Sequence, residues 1–351
     1  MHTRNKLAGL IALSITLMLF TACASAPTPT LISPTAIPPA AAPPLAPTTM
    51  VAPTPAPTAT ALPAPTKPAL VTVTDGANRT VTITGAPQRI VSLAPSTTEI
   101  AFALGLGSRV VAVDKLSDYP AQVKDLPKVS VFPVNYEQVV SFKPDLVLAA
   151  SIQGPDEIKK LDDLKLTMLV VGAPTTTFDN VMSDITLVGK ATGTDAVAKT
   201  VTDAMKARVD AVKAKIAVAQ TKPRVFWELD ATDPSKPFTA GPGSFIGDMI
   251  ALAGGVNVAA NAKTAYPQYS AEEIIAANPD ILILSDSCTF FVNPGCTPVE
   301  TVKTRNGWST ISAVKNDKVF PIDDNLVSRP GPRIVDGLEA AAKLIHPELF
   351  K

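Results

Sequence analysis

Residues 137–149, EQVVSFKPDLVLA, and residues 272–284, EEIIAANPDILIL, align without a gap at a constant offset of 135. Each opens on a short helix-forming stretch, passes through Pro-Asp and enters an apolar run. Pro-Asp before a strand is common turn chemistry. An ungapped match with Glu, Pro and Asp all in register reads instead as an internal repeat. A continuous apolar run is the mark of a strand buried on both faces, as in a parallel sheet. A repeated helix-then-strand unit therefore predicts two similar α/β lobes.

Working outward, RIVSL at 89–93 reads as a buried strand. Ser96 with Glu99 three residues later is the pattern of a capping box, and Gly105 is placed to stop that helix. Residues 110–113 and 169–171 supply further strands. Arg224 opens a second series, and a helix over 244–253 is stopped by Gly254 and Gly255. Strands alternating with helices predict parallel sheets. Between the two series, Val197, Val201, Met205, Val209, Val212 and Ile216 fall at helical spacing with no Gly or Pro among them. One helix over 195–220, ~38 Å long, is expected to connect the lobes and to permit only small closure. The fold class expected is α/β: two Rossmann-like lobes with parallel sheets, joined by one long α-helix, with a ligand cleft between them. The boundaries read as an N-terminal lobe at 69–193, the connecting helix at 194–220 and a C-terminal lobe at 221–351.

The first 68 residues belong to neither lobe. Arg4 and Lys6 precede an apolar run from 7 to 20, shorter than the ~20 residues a membrane-spanning helix needs. Residues 1–22 read as an export signal. Cys23 follows small residues, as in the lipobox of bacterial lipoproteins, and is expected to carry lipid; cleavage after 24–26 by ordinary signal peptidase is the other reading. Fourteen of the 34 prolines lie between 24 and 68, where Lys67 is the only charge. Such a segment cannot bury a core and favours extended polyproline II, so 23–68 reads as a lipidated stalk reaching at most ~140 Å.

Charge and histidine content exclude several functions. The chain balances 31 basic against 31 acidic groups, but Arg4, Lys6 and Lys67 lie in the leader and stalk, so the lobes are mildly acidic. A partner nucleic acid is not expected. His2 and His346 are the only histidines, and once the leader is removed a single one remains, too few for a histidine metal site. Neither a catalytic residue, a metal site nor a cofactor is expected. GPGSFIG at 241–247 imitates a dinucleotide fingerprint, but no acidic residue stands ~20 positions beyond to hold a ribose; it reads as a turn into a helix.

RIVSLAPSTTEIAFALG at 89–105, SDYP at 117–120, KPDLV at 143–147 and RPGPR at 329–333 resemble the helical-backbone class of ABC-importer substrate-binding proteins, above all its cobalamin-binding branch. The resemblance spans about 70–350. It implies a monomeric carrier of a corrinoid, with iron–siderophore or haem as the alternative, that delivers its ligand to a permease dimer with its ATPase. An exported oxidoreductase and a ligand-free surface lipoprotein are the competing readings. Localisation is expected outside the cytoplasm, on the membrane.

Ligands of open α/β sheets bind at the carboxyl ends of strands. Those ends include Pro95, Ser96, Asp324 and the loop carrying Phe290 and Phe291. By resemblance, pocket aromatics fall on Phe132 and Tyr266 and a pocket arginine on Arg329, while two further aromatic positions hold Leu116 and Ala150. Core packing for the two aromatics, and a surface cap for Arg329, stand as the alternatives. Phe290 and Phe291 read equally as ligand contacts or lobe packing. Cys288 and Cys296, an even pair eight positions apart in an exported chain, read as a disulfide. Glu137 and Glu272 occupy equivalent places in the repeat and suit a two-fold partner; by resemblance they dock on the permease, although a Glu there also complements its helix dipole.

Overall fold

The computed structural model describes residues 69–173, 176–289 and 296–351; Cys23, the 23–68 segment, Phe290 and Phe291 lie outside them. The fold is α/β, with two lobes joined by a long helix. In the N-terminal lobe a hairpin, β1 (Leu70–Thr74) and β2 (Thr80–Thr84), precedes a parallel sheet. Its strands are β3 (Ile90–Ser92), β4 (Val110–Asp114), β5 (Lys128–Val129), β6 (Leu146–Ala150) and β7 (Met168–Val171), in the order β5-β4-β3-β6-β7. Its helices are α1 (Pro95–Ala103), α2 (Tyr136–Ser141), α3 (Gly154–Asp163) and α4 (Phe178–Thr192). Helix α5 (Asp195–Ile216) crosses to the second lobe. There β8 (Arg224–Asp230), β10 (Val256–Asn257), β11 (Ile281–Leu284) and β12 (Val319–Pro321) run parallel in the order β10-β8-β11-β12, and β9 (Phe238–Thr239) pairs antiparallel with β8. Helices α6 (Phe245–Leu252), α7 (Ala271–Ala277), α8 (Val299–Lys303), α9 (Ser312–Lys315), α10 (Asp324–Val327) and α11 (Ile334–Ile345) complete it.

The repeat extends beyond the quoted stretches. Ile90 pairs with Leu146 and Val225 with Ile281, each partner displaced by the same offset. Each lobe also carries an arginine clamp. Arg89 donates its backbone N–H to Asp145 and its guanidinium to the carbonyls of Phe142 and Lys143. Arg224 donates its N–H to Asp280 and its guanidinium to the carbonyl of Ala277. The clamps satisfy carbonyls that the ends of α2 and α7 leave without intrahelical partners.

Two local expectations differ from what is found. Helix α1 begins at Pro95 after an extended Ala94 that makes no side-chain cap, so Ser96 lies within the first turn. Proline at the first helical position supplies the preset φ a start needs, and Glu99 turns to arginines of the other lobe instead of back to a cap. Gly105, at φ +75, ends the helix as expected. Helix α5 is 22 residues, ~33 Å, and stops before 217–220. Its apolar stripe ends at Ile216, and Val218 beyond it is 63% exposed, so further turns would bury nothing. Val197 is off the stripe; Ala198 takes its place and packs so closely on α4 that a Cβ added at Gly189 would lie 2.4 Å from that of Ala198.

The lobes share one apolar cluster running from Ile90 and Leu146 through α4 and α5 to Trp227, Ile281 and α11, with a separate cluster on the outer face of each sheet. The backbone N–H of Phe178 also donates to Asp248 of α6 at 3.0 Å. Trp227 is a core residue whose indole N–H reaches Ser285 Oγ. The two lobes thus share one apolar core across α4, α5 and α11.

Asp184 on α4 accepts the N–H of Gly172 at 3.1 Å, but burial pushes its carboxyl up to about 6 from an ordinary 3.8. Because the folded-state value is the higher, its contribution is favourable at low pH and is lost as pH rises from 3.8 through 6. Asp184→Asn is expected to raise stability by on the order of 2 kcal/mol at pH 8 and to leave it unchanged at pH 3. Denaturant unfolding at the two pH values reads this directly, and equal effects at both would reject it.

Candidate functional site

In each lobe the first strand of the series, β3 or β8, has the chain leave it on one side to its next neighbour and return on the other to β6 or β11. Such a reversal opens a crevice at the carboxyl ends of those strands. The exposed aromatic side chains gather on these ends. Tyr119, Phe132, Phe238 and Tyr266 are 45, 61, 41 and 41% exposed, and no other aromatic among the described residues is as open. Tyr119 follows β4 and Phe132 follows β5. Phe238 begins β9, and Tyr266 lies in the segment paired with it through Thr239 N–H to Pro267 O and Gly241 N–H to Ala265 O. Leu116 and Ile152 add aliphatic surface on the same edge of the first lobe. Large apolar groups left in water at one edge mark a binding surface. Two hollows, of about 480 and about 370 Å³, lie beside the β1–β2 hairpin and beyond the C-terminal end of α5, and neither is lined by any of the four aromatics.

Between the aromatics the lobes are tied by charge. Glu99 of α1, with its side chain 2% exposed, receives a two-pronged bond from Arg333: Nε to Oε2 at 2.9 Å and Nη2 to Oε1 at 2.5 Å. Arg329 places Nη1 2.6 Å from Asp118 and 3.4 Å from Glu99. The Arg333 guanidinium also stacks 3.9 Å from the ring centre of Tyr119. Partial burial works to raise the Asp118 carboxyl, but the bond and charge of Arg329 hold it below its usual range. Gly331 sits between the two arginines, facing the carbonyl of Ser96, and a Cβ there would lie 3.4 Å from that oxygen.

The loop that carries Leu116, Asp118 and Tyr119 is held from beneath. Asp114 accepts the N–H groups of Leu116 and Ser117 and the hydroxyl of Ser117. Ser117 Oγ lies 2.8 Å from Thr98 Oγ1, and Thr98 donates to Ser92 at 2.8 Å. The Lys128 ammonium donates to the Ser117 carbonyl at 2.6 Å. Burial raises the Asp114 carboxyl against those bonds.

The expected site residues distribute as follows. Leu116, Phe132 and Tyr266 stand exposed at the cleft edge, while Pro95 is half-buried and Ser96 buried, so α1 offers its start as backbone. Ala150 is buried. Asp324 accepts the Ser328 hydroxyl within α10; burial raises its carboxyl against that bond. Arg329 stands at the same edge, paired with Asp118 and Glu99 of the other lobe. Tyr119 and Phe238 stand on strand ends expected to face a ligand, and Glu99 and Arg333 join them only in the folded chain. SDYP and RPGPR carried two of them, but nothing in sequence joins positions more than two hundred apart.

In the second lobe Glu228, fully buried, is gripped by both terminal nitrogens of Arg305, which itself lies 4.6 Å over Trp308. Burial pushes the Glu228 carboxyl up to about 7, against the pull of Arg305. Cys288 and Cys296 are bonded, with Cα atoms 5.1 Å apart. Asp286 holds the base of that loop by accepting from the N–H and hydroxyl of Thr297 and from the N–H of Ala231. Ser244 caps α6, and glycines 241 and 247 permit close backbone approach there, the turn expected of GPGSFIG. His346 is buried against Glu348 and the Gly254 carbonyl. Glu137 and Glu272 are exposed in the first turns of α2 and α7 and form no ion pair among the described residues.

Comparison with known proteins fits this architecture. A profile described as periplasmic binding protein matches residues 90–326. An uncharacterized ABC transporter substrate-binding lipoprotein of Bacillus subtilis is 37% identical over 270 residues, covering 76% of this chain and 82% of that one. A vitamin B12-binding protein of Vibrio cholerae is 30% identical over 256 residues, covering 72% of this chain and 87% of that one. Among solved structures, the apo form of a periplasmic heme-binding protein from Roseiflexus sp. RS-1 superposes with a TM-score of 0.64 at 26% identity, over 76% of this chain and all of that one. The two-lobed fold, the open aromatic cleft and these matches together place the chain in the periplasmic binding protein family.

Proposed function

We propose that this chain is the extracytoplasmic binding protein of an ABC importer, anchored through lipid on Cys23, held out on the 23–68 stalk, and carrying a corrinoid in its inter-lobe cleft to the permease. It acts as a carrier and not as an enzyme. The observation that carries the reading is the cleft floor: two arginines matched by two carboxylates, flanked by exposed aromatic and aliphatic side chains from both lobes. A floor without surplus charge suits a large planar ligand whose periphery is neutral amide. The likeness to vitamin B12-binding proteins supports the same class. Haem or a ferric chelate is the second reading, favoured by the exposed phenols of Tyr119 and Tyr266, since phenolate is an established iron ligand.

Thermal unfolding with cyanocobalamin, dicyanocobinamide, haemin or a ferric siderophore separates them. A ligand at a hundred times its Kd stabilises the native state by about 2.7 kcal/mol, and the two corrinoids are expected to do so. A shift with haemin or the siderophore alone would replace the corrinoid reading with the second.

A further inference from the structure

We propose that Asp118 determines the ligand charge that the cleft accepts: its carboxylate occupies the ligand-facing side of Arg329, so an acidic ligand group must displace it before reaching that arginine. The inference rests on the cleft being the ligand site, as proposed above.

Arg329 lies between two carboxylates that differ in access. Glu99 is 2% exposed, and Arg333 already holds it through two bonds, so it is a permanent part of the floor. Asp118 is 57% exposed and makes the shorter contact to Arg329, 2.6 against 3.4 Å. A water-accessible carboxylate on a nearly buried guanidinium is the member of the pair that can exchange. Bonds of this kind are strong enough to matter and, on an exposed partner, weak enough to break.

The loop does not leave Asp118 free to drift aside. Asp114 fixes the two residues before it through backbone bonds, Ser117 is buried in the hydroxyl chain to Thr98 and Ser92, and Lys128 holds the Ser117 carbonyl. The carboxylate is thus presented to Arg329 from the opposite lobe by a preordered turn. The charge count agrees. Arg329 and Arg333 face Glu99 and Asp118, and burial raises the nearby Asp324 carboxyl against the opposing pull of the Ser328 hydroxyl and of Arg329. An incoming acid finds both of these guanidinium groups already matched by carboxylates. A neutral, amide-bearing ligand meets carboxylate and guanidinium edges to which it can donate and from which it can accept, without displacing either.

Asp118→Asn keeps the shape of the side chain and removes its charge, which leaves Arg329 open on the ligand side. The test is an equilibrium titration of wild type, Asp118→Asn, Asp118→Ser and the double variant Asp118→Asn, Arg329→Gln with haemin, whose two carboxylates make it the acidic probe. The association constant for haemin is expected to rise tenfold or more in both single variants and to fall back in the double variant. An unchanged constant in the single variants, or a gain that survives loss of Arg329, overturns the proposal. Dicyanocobinamide, which lacks carboxylates, is titrated into wild type in parallel. Its failure to bind would count against the corrinoid reading alone, since the Asp118 effect is read on haemin.

Discussion

Replacing Arg305 by alanine is expected to cost about 3–5 kcal/mol of stability at pH 8, because it strands a buried carboxylate. Glu228 is fully buried, and both guanidinium nitrogens that compensate its charge come from Arg305. The loss should shrink towards pH 5. Even with Arg305 present, burial pushes Glu228 up to about 7 from an ordinary 4.5. A carboxyl with a raised folded-state value stabilises while it keeps its proton, and that contribution is lost as pH rises from 4.5 through 7. Without the arginine the carboxyl holds its proton to higher pH still, so an acidic buffer restores much of what is lost. Urea unfolding of both proteins at pH 5 and pH 8 decides the matter. An equal loss at both would assign the effect to the packing of Arg305 on Trp308, not to stranded charge.

The double change Glu137→Ala, Glu272→Ala is expected to abolish stimulation of the importer's ATPase while ligand affinity is retained, each single change being partly impaired. The two carboxylates occupy equivalent positions of the repeat, in the first turns of α2 and α7, and both are exposed. A pseudo-two-fold pair of this kind fits a permease with true two-fold symmetry. Their contribution to their own helices is small, about 0.3–1 kcal/mol each, so the folded protein survives the double change. Exposed pairs are screened by salt, and the wild-type complex should weaken between low and high ionic strength. The measurement is ATPase activity of the reconstituted importer across a range of binding-protein concentrations. Undiminished stimulation by the double variant at every concentration would show that docking relies on other contacts.

The lobes, their order and their relationship were legible in the chain because they are local patterns repeated. The 135-residue offset predicted two α/β units, and the same offset recurs in the strand registers and in the Arg89–Asp145 and Arg224–Asp280 clamps. Gly105 and the spacing of Met205, Val209 and Val212 declared a helix stop and a connecting helix, since backbone freedom and a 3.6-residue period are written within a few turns. The disulfide was readable from compartment and count.

The cleft floor was decided by tertiary structure alone. Glu99 and Arg333 stand 234 positions apart, and Asp118 and Arg329 stand 211 apart. Ser96 and Glu99 offered a plausible local partnership, yet Pro95 started the helix without a side-chain cap and the carboxylate gained two charge-assisted bonds across the lobes. A buried charge takes the partner that best offsets its desolvation, and that partner exists only once both lobes have folded against each other. For the same reason Arg329 is matched by carboxylates of the other lobe: the motif supplied the cation, and the fold set what faces it.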